Sequence, residues 1–264
     1  MREDPIGFFD SGVGGLSVLK YALDVMPEEN YIYFGDSLNA PYGTKTKEQV
    51  FYLTENAVKS LLNKNVKAIV VACNTATSIA VDELRKTTSV PIISMEPAIK
   101  PALEKTDGNV LLLATNVTLS SDRVNKLIDK YDTKNRVIKV PCPELAKKIE
   151  EAIFKNNNID DYIFEILSPF KEKNVTAVVL GCTHYPFVKD KIINFLNKNV
   201  VVFDGIDGTV AHLKEILIEN NIKNLNNNKG TVKLESSLKE KNTIELYNKL
   251  LFGGILWDAC FADV

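Results

Sequence analysis

Residues 69–75 read IVVACNT, and residues 178–184 read VVLGCTH. Each stretch begins with apolar residues typical of a buried parallel strand and then carries a small residue followed by a cysteine. The hydroxyl and amide side chains that come after the cysteines are suited to capping a helix. Because ligands bind at the carboxyl ends of the strands in an open α/β sheet, the two stretches predict a pair of thiols that act on one small molecule.

Strand-like and helix-like stretches alternate along almost the whole chain. The predicted strands are Ile6–Phe9, Tyr31–Phe34, Ala68–Ala72, Pro91–Ser94, Val110–Ala114, Arg136–Val140, Ala177–Leu180, Val200–Phe203 and Thr231–Leu234. The predicted helices are Leu16–Val25, Lys47–Asn63, Ser78–Lys86, Asp122–Tyr131, Glu144–Lys155, Asp160–Lys171, Phe187–Asn197, Thr209–Asn220 and Lys239–Phe252. This alternation predicts an α/β protein with doubly wound, mainly parallel sheets and right-handed crossovers.

The two cysteine stretches belong to a longer internal repeat. Cys182 lies 109 residues after Cys73. Similarly, Thr115, at the end of a later predicted strand, lies 105 residues after Asp10, which follows the first. These nearly equal offsets predict two similar α/β halves.

The chain length of 264 residues is sufficient for two modest domains. We expect a boundary near Met95–Pro101, where two prolines interrupt the pattern. The predicted first domain comprises residues 1–96 and 206–264, because the last segment is expected to return and complete it. The predicted second domain comprises residues 97–205.

Composition and charge argue against several classes of protein. The chain is 45% hydrophobic and 25% charged, which is ordinary for a globular domain. Its net charge of −2, from 32 basic and 34 acidic residues, gives no general attraction to nucleic acid or to an anionic membrane. No apolar run approaches the roughly 20 residues that cross a bilayer, and the start of the chain lacks the apolar core of a signal peptide. We therefore expect a cytoplasmic protein that binds neither nucleic acid nor membrane.

Four widely spaced cysteines are typical of free thiols in a reducing compartment, not of a disulfide framework. A buried cysteine is often only a small core residue. Cys73 and Cys182, however, stand where the free N–H groups and the positive dipole end of a following helix favour a thiolate. Cys142 and Cys260 lack this setting, and we interpret them as structural.

Two thiols that flank one carbon can remove a proton from one face and return a proton to the other, which inverts the configuration. One sulfur must then be a thiolate while the other is a thiol, and an ordinary pKa near 8.5 needs only a modest decrease for this role. Asp10 is predicted to lie beside the end of the Cys73 strand and to assist proton transfer there. His184 follows Cys182 closely, and Glu150 on a predicted helix is expected to orient or charge it.

The substrate is expected to be held without an arginine clamp. Only Arg123 is placed to approach the strand ends, so an anionic substrate would be bound by backbone N–H groups and by hydroxyl and amide side chains. The available donors are Ser11, Asn74, Thr75, Thr115, Thr118, Ser121 and Thr183. The glycines of residues 10–15 allow close approach of the backbone to a ligand, and the long loop at residues 35–43 is expected to cover the site.

Four motifs together resemble those of the bacterial glutamate racemases. They are FDSGVGG at residues 9–15, GDS at 35–37 followed by PYG at 41–43, ACNTA at 72–76 and GCTHYP at 181–186. They stand in the family order over most of the chain, and their combination is highly specific, although any one alone is weak.

The resemblance implies a cofactor-independent enzyme of the aspartate/glutamate racemase family, with its site in the cleft between two pseudo-symmetric domains. It implies interconversion of L- and D-glutamate for peptidoglycan synthesis. By motif, Cys73 and Cys182 are the acid/base residues, acting on D- and L-glutamate respectively. Their assisting residues are Asp10, His184 and Glu150, and the implied substrate contacts are Asp10, Ser11, Tyr42, Gly43, Asn74, Thr75, Thr183 and His184. We expect no cofactor, no metal and a homodimer.

Two residues depart from the family pattern. Asn39 stands where many members carry Arg, and Val124 replaces a frequent aromatic residue. Three other interpretations stay open: a racemase for aspartate or another acidic amino acid, an amino-acid-binding protein without catalysis, and a metal site built from Cys73, Cys182 and His184. The last has poor ligand spacing and no obvious fourth ligand.

Overall fold

The predicted α/β class is confirmed by a computed structural model, which describes residues 2–155, 158–196, 198–240 and 242–253. Its elements are β1 (Ile6–Asp10), α1 (Leu16–Val25), β2 (Tyr31–Gly35), α2 (Lys47–Leu62), β3 (Ala68–Val71), α3 (Asn74–Thr87), β4 (Ile92–Ser94), α4 (Ile99–Lys105), β5 (Asn109–Ala114), α5 (Asn116–Leu119), α6 (Asp122–Tyr131), β6 (Val137–Pro141), α7 (Leu145–Lys155), α8 (Asp160–Leu167), β7 (Val175–Leu180), α9 (Lys189–Leu196), β8 (Val201–Phe203), α10 (Ile206–Glu219), β9 (Val232–Ser236) and α11 (Thr243–Phe252). Short 3₁₀ turns occur at Ser37–Asn39, Tyr42–Thr44, Ser168–Phe170 and Tyr185–Val188.

The described residues divide into two compact units. Unit 1 contains those of Met1–Met95 and Ile206–Gly254, and unit 2 contains those of Glu96–Gly205. The sheet of unit 1 has the strand order β4-β3-β1-β2-β9, and the sheet of unit 2 has the order β6-β5-β7-β8. All the pairings are parallel. If the strands of each unit are numbered in chain order, unit 1 has the order 4-3-1-2-5. Unit 2, read from β8 to β6, has the order 4-3-1-2, so the repeat is present in the topology.

Both faces of the unit 1 sheet are covered. On one face Phe9 and Val71 pack with residues of α2 and α3 in a common core. On the other face the Tyr31 hydroxyl donates to the carbonyls of Ala22 in α1 and of Met26, which follows α1. Tyr33 packs its ring on that of Tyr247 in α11. The carboxyl ends of β1 and β3 are adjacent, because Phe9 pairs with Val71. Asp10 and Cys73 are therefore brought to one edge of this sheet.

The unit 2 sheet is also buried on both faces. Leu112 and Val179 pack with α4 and α6 in one core, and the alternate residues Leu111 and Val178 are fully buried as well. Since β5 and β7 are neighbours, the residues that follow Ala114 and Leu180 lie at the same edge. None of the helices in the described part of the chain is long and apolar enough to cross a lipid bilayer.

Several element boundaries differ from the predictions. The prolines near residue 100 do not exclude a helix, because Pro101 lies in the first turn of α4, where a missing N–H is tolerated. The short helix α5 was also not predicted. The helix expected at Phe187–Asn197 begins instead at Lys189, after a 3₁₀ turn, and Asn197 lies outside the described residues.

Candidate active site

Cys73 is itself the N-cap of α3. Its sulfur accepts a hydrogen bond from the Ala76 backbone N–H at 3.5 Å and lies 3.3 Å from Ser11 Oγ. The expectation that the residues after Cys73 cap the helix was wrong, because Cys73 has the extended backbone of a cap and Asn74 is already helical. The side chain is 5% exposed. A sulfur in this position receives both a backbone N–H and the positive end of the helix dipole, which stabilise a thiolate.

Asp10 is fully buried at the end of β1. One of its carboxylate oxygens accepts a hydrogen bond from the Gly12 N–H at 2.9 Å, which fixes the side chain against the glycine loop. Gly15 is required at its position, since a Cβ there would lie only 2.5 Å from the Cβ of Asp10. The sequence therefore positions this carboxylate by backbone contacts, with Ser11 buried beside it.

Asn74 carries the unsatisfied polar group that most directly indicates a ligand in unit 1. Its side chain is buried, and neither its amide nitrogen nor its oxygen has a hydrogen-bond partner among the described residues. Leaving a buried polar group unpaired costs about 1–3 kcal/mol, so a polar ligand at this amide would be stabilised. Thr75, the next residue of α3, is also buried.

The loop at residues 36–43 is ordered around a buried carboxylate that we did not predict. Asp36 accepts a hydrogen bond from the Tyr42 hydroxyl at 2.6 Å and two from the Asn39 amide at 3.0 and 3.2 Å. Asn39, the residue that departs from the family pattern, thus fixes the loop as a neutral donor. Burial raises the pKa of Tyr42 above its ordinary value, and the charges of Asp36, Cys73 and Asp10 raise it further. Tyr42 therefore stays a neutral hydroxyl, followed in the same 3₁₀ turn by Gly43.

Cys182 in unit 2 follows β7 but is not followed directly by a helix. Its carbonyl accepts a hydrogen bond from the Tyr185 N–H at 3.2 Å in a turn, and α9 begins only at Lys189. The expectation that a helix N-terminus supports this thiol was therefore wrong. The Pro186 ring lies in the 3₁₀ turn that separates the cysteine from the helix. Cys182 is half-buried, and it is more exposed than Cys73.

An imidazole and a carboxylate support Cys182 instead. The sulfur lies 3.8 Å from His184 Nδ1, and His184 Nε2 lies 2.8 Å from Glu150 Oε1 on α7. Burial opposes protonation of the ring, but the hydrogen bonds to the Cys182 sulfur and to the Glu150 carboxylate outweigh it. The pKa of His184 consequently lies well above its ordinary value. A protonated ring beside the sulfur would stabilise a thiolate.

A third cysteine lies near this turn. The Tyr185 hydroxyl donates a hydrogen bond to the Cys142 carbonyl at 3.0 Å, which ties the turn to the end of β6. Cys142 also follows a strand, contrary to expectation, but it is fully buried and its thiol donates to the Val140 carbonyl at 3.4 Å. Burial raises the pKa of Cys142 to about 12, so it remains a thiol, as its structural interpretation requires. Cys260 lies outside the described residues.

The hydroxyl donors predicted in unit 2 are buried near the same sheet edge. Thr183 Oγ1 lies 3.5 Å from His184 Nδ1. Thr115 caps α5 by accepting a hydrogen bond from the Thr118 N–H at 3.3 Å, and its hydroxyl donates to Thr118 Oγ1 at 3.1 Å. Ser121 caps α6 in the same way.

Arg123, the arginine expected nearest to the strand ends, forms an ion pair with Glu96. Its Nε donates to the Glu96 carboxylate at 3.0 Å, and its Nη2 donates to the same oxygen. The positive charge of Arg123 is therefore paired with a carboxylate of the protein itself.

The described residues thus form one cysteine-centred group in each unit. In unit 1 the group contains Asp10, Ser11, Tyr42, Gly43, Cys73, Asn74 and Thr75, and in unit 2 it contains Glu150, Cys182, Thr183 and His184. Thr115 and Thr118 follow β5, the strand that pairs with the Cys182 strand β7. Asp36 and Tyr185 were missed. Both lie inside the GDS and GCTHYP motifs, so the motifs themselves were the available signal. Within the described ranges, no cluster of three or more His, Cys, Asp or Glu side chains could hold a metal ion.

The chain is similar to known racemases. Residues 17–214 match the family model described as Asp/Glu/Hydantoin racemase. A glutamate racemase of Clostridium novyi (strain NT) is 49% identical over 251 residues, which cover 94% of this chain and 97% of the relative. A glutamate racemase of Clostridium perfringens (strain ATCC 13124) is 46% identical over 253 residues, covering 95% and 97% of the two chains.

Solved structures show the same fold. The glutamate racemase of Francisella tularensis in complex with D-glutamate has a TM-score of 0.81 and 30% sequence identity, and the match covers 95% of this chain and 94% of that one. The glutamate racemase isoform RacE1 of Bacillus anthracis has a TM-score of 0.84 and 28% identity, with 96% and 95% coverage.

Proposed function

Because the chain belongs to the Asp/Glu/hydantoin racemase family, we propose that it interconverts L-glutamate and D-glutamate by a two-base reaction without a cofactor. The observation that carries the proposal is the placement of Cys73 and Cys182. The two thiols follow the equivalent third strands of two sheets with the same topology. The name of the Clostridium novyi relative supports glutamate as the substrate.

In the proposed reaction a thiolate takes the proton from the substrate Cα, and the C–H electron pair remains on the carbon as a carbanion. The second thiol then donates its proton to the opposite face of that carbon. The product is the mirror-image amino acid, and the two sulfurs have exchanged protonation states. No electron acceptor or donor is consumed. Cys73 acts on D-glutamate and Cys182 on L-glutamate, as in the family that the motifs resemble.

The supporting groups of the two thiols have different roles in this reaction. The Ala76 N–H and the start of α3 stabilise the Cys73 thiolate, and Asp10 assists proton transfer at the same edge of the sheet. His184, held by Glu150, stabilises the Cys182 thiolate by its positive charge. Proton transfer by such positioned groups contributes about 10²- to 10⁴-fold to a rate.

Hydroxyl, amide and backbone groups hold the substrate in the proposed complex. The unpaired Asn74 amide provides both a donor and an acceptor. The other proposed contacts are Asp10, Ser11, Tyr42, Gly43, Thr75, Thr115, Thr118, Thr183 and His184. Arg123 is not among them, because its charge is paired with Glu96.

The cellular role follows from the substrate. We propose that the protein works in the cytoplasm as a homodimer and supplies D-glutamate for peptidoglycan biosynthesis. Its partner is a small-molecule substrate, L- or D-glutamate, and neither nucleic acid nor membrane takes part.

Hydrogen exchange at Cα tests the proposal directly. Purified protein without added cofactor is incubated in deuterated water with L-glutamate, D-glutamate, L-aspartate or D-aspartate. NMR measures the deuterium content at Cα, and circular dichroism measures the excess of one enantiomer. We expect deuterium to enter at Cα and the circular dichroism signal to vanish, whichever enantiomer of glutamate is supplied. Racemisation of aspartate alone would overturn the substrate assignment, and tight binding without exchange would indicate a binding protein.

Alanine variants then test the two thiols. We expect Cys73→Ala and Cys182→Ala each to lose at least about 10³-fold in kcat, since each removes one of the two proton carriers. Cys142→Ala is the matched control, because it removes a buried thiol near the same turn and is expected to retain activity. Racemisation by either of the first two variants at near the native rate would contradict the two-base reaction.

A further inference from the structure

The hydroxyl of Tyr247, on α11, lies at the base of the loop that carries Tyr42. It donates a hydrogen bond to Ser236 Oγ at 3.3 Å and lies 2.6 Å from Ser37 Oγ, which can donate to it. Ser37 begins the first 3₁₀ turn of the loop. Tyr247 is fully buried, and its sequence position is 210 residues away from Ser37. It also lies outside the range matched by the family model.

The ring of Tyr247 reaches the glycine loop after Asp10 as well. It packs edge-to-face on Tyr33 with the ring centroids 5.6 Å apart, and the Tyr33 hydroxyl donates to the Gly12 carbonyl at 2.6 Å. Gly35 permits this approach, since a Cβ atom there would collide with the Tyr247 hydroxyl and lie 2.8 Å from the Gly12 carbonyl. The Tyr247 side chain therefore contacts Ser37 in one loop and Tyr33, which holds the glycine loop, at the Cys73 end of the sheet.

The contacts continue from Ser37 to the cysteine group. Asp36, the preceding residue, holds the Tyr42 hydroxyl. Tyr42 in turn packs in the same core cluster as Cys73, with its ring 6.1 Å from that of Phe9. The next residue of the turn, Leu38, is itself held by a hydrogen bond from its N–H to Ser237 Oγ at 3.0 Å. The turn at Ser37–Asn39 is thus held by α11 and by Ser237, the residue that follows β9, and Asp36 joins the turn to Tyr42.

We propose that Tyr247 is a positioning residue that fixes the loop at residues 36–43 for substrate binding. The proposal rests on the proposed function, in which Tyr42 and Gly43 contact the substrate. Tyr247 touches no reacting atom, so its loss is expected to weaken binding and to leave the chemical step nearly unchanged.

The test variant is Tyr247→Phe, which keeps the ring and removes only the hydroxyl. We expect KM to rise about five- to tenfold for both enantiomers, as the loss of one hydrogen bond in the binding arrangement would give, with kcat within about twofold of the native value. Because the equilibrium constant of racemisation is unity, kcat/KM must fall equally in both directions. The amides of the Ser37–Asn39 turn are expected to exchange hydrogen faster, which hydrogen-exchange mass spectrometry measures without substrate.

Tyr31→Phe is the matched control. Tyr31 is also buried, and its hydroxyl donates to the Ala22 and Met26 carbonyls at 3.1 and 2.8 Å, but it stands at the first residue of β2, at the opposite edge of the same sheet. The Tyr31→Phe variant therefore loses buried hydrogen bonds but leaves the contacts of the loop at residues 36–43 unchanged. We expect a comparable loss of thermal stability and an unchanged KM.

Ser37→Ala removes the other partner of the same contact. If Tyr247 acts through Ser37, the double variant raises KM no more than the larger single effect. An unchanged KM and unchanged loop exchange in Tyr247→Phe would overturn the proposal, as would an equal rise of KM in Tyr31→Phe. Failure of the native protein to racemise glutamate would instead overturn the proposed function, and the loop-exchange measurement would still test the positioning contact.

Discussion

The two cysteines occupy equivalent strand ends, yet the groups around them differ. Cys73 is buried as the N-cap of α3 and its sulfur accepts a hydrogen bond from a backbone N–H, whereas Cys182 is half-buried in a turn beside the His184 imidazole. Each setting places a different group beside the sulfur: the N-terminus of α3 at Cys73 and the imidazole of a His–Glu pair at Cys182. The difference teaches that the topology fixes where a thiol stands, while the residues after the strand decide how its charge is stabilised.

The largest effect that would sharpen this comparison is expected from removing the imidazole. We predict that His184→Gln lowers kcat about 10²-fold, because the Cys182 thiolate loses a positive neighbour. The loss should fall on the step at Cys182. The primary isotope effect with 2-deuterated L-glutamate is then expected to rise, and that with 2-deuterated D-glutamate to fall.

Asp10→Asn provides the mirror experiment at Cys73. The variant keeps an oxygen for the Gly12 N–H and removes the charge, so the isotope effects are expected to change in the opposite sense. If both variants shift the two isotope effects in the same direction, each thiol does not serve its own enantiomer.

A smaller effect is expected from Glu150→Gln, which keeps the side-chain shape and removes the charge beside His184. The pKa of His184 is raised in the folded protein, so the folded state holds a proton that the unfolded state gives up. The resulting stabilisation is fully present below a pH of about 6.5 and is lost as the pH rises through the folded pKa. We therefore predict that Glu150→Gln lowers Tm near pH 6 and that the difference from the native protein shrinks towards pH 10.

The neighbouring residue supplies the control for this measurement. Glu151 lies on the same helix, and its carboxylate lies 3.9 Å from Lys147 Nζ. Glu151→Gln should leave both the Tm profile and kcat close to native values, whereas Glu150→Gln is expected to lower kcat about tenfold. A pH-independent difference in Tm for Glu150→Gln would contradict the assignment of a raised pKa to His184.

The smallest effect concerns the cap. Cys73→Ala removes the acceptor of the Ala76 N–H and is predicted to lower the free energy of unfolding by about 0.5–1 kcal/mol, as measured by urea denaturation. Cys73→Ser should recover that stability, since a hydroxyl also caps a helix, without recovering activity. Cys182→Ala removes no cap and should be less destabilising. A larger loss for Cys182→Ala would mean that the capping contact contributes little.

Much of the fold could be predicted because its signals are local. The apolar runs before Cys73 and Cys182 determined the strands, and the placement of Asp10 beside the Cys73 strand followed from ordinary parallel topology. Glu150 was expected near His184 from its position on the helix after β6, and the two side chains are in contact.

The remaining features depend on geometry that residue types do not encode. Asn74 is a better capping residue than a cysteine, but β3 ends early enough that the backbone at Cys73 takes the cap conformation. Likewise, the 3₁₀ turn at Pro186 delays the helix after Cys182. The contact of Tyr247 with Ser37 joins residues 210 positions apart, and no local pattern signals it.

The chain leaves unit 1 after Met95, supplies strands β5–β8 of unit 2, and returns to unit 1 with α10, β9 and α11. During synthesis both thiols therefore emerge from the ribosome before the edge strand β9 can pair with β2. Until that late segment docks, β2 presents an unpaired backbone edge and the loop after it lacks its contact with Tyr247. A nascent chain can therefore contain both Cys73 and Cys182 while the loop at residues 36–43 still lacks a fixed conformation. The ability to bind substrate is then completed only when the C-terminal segment docks.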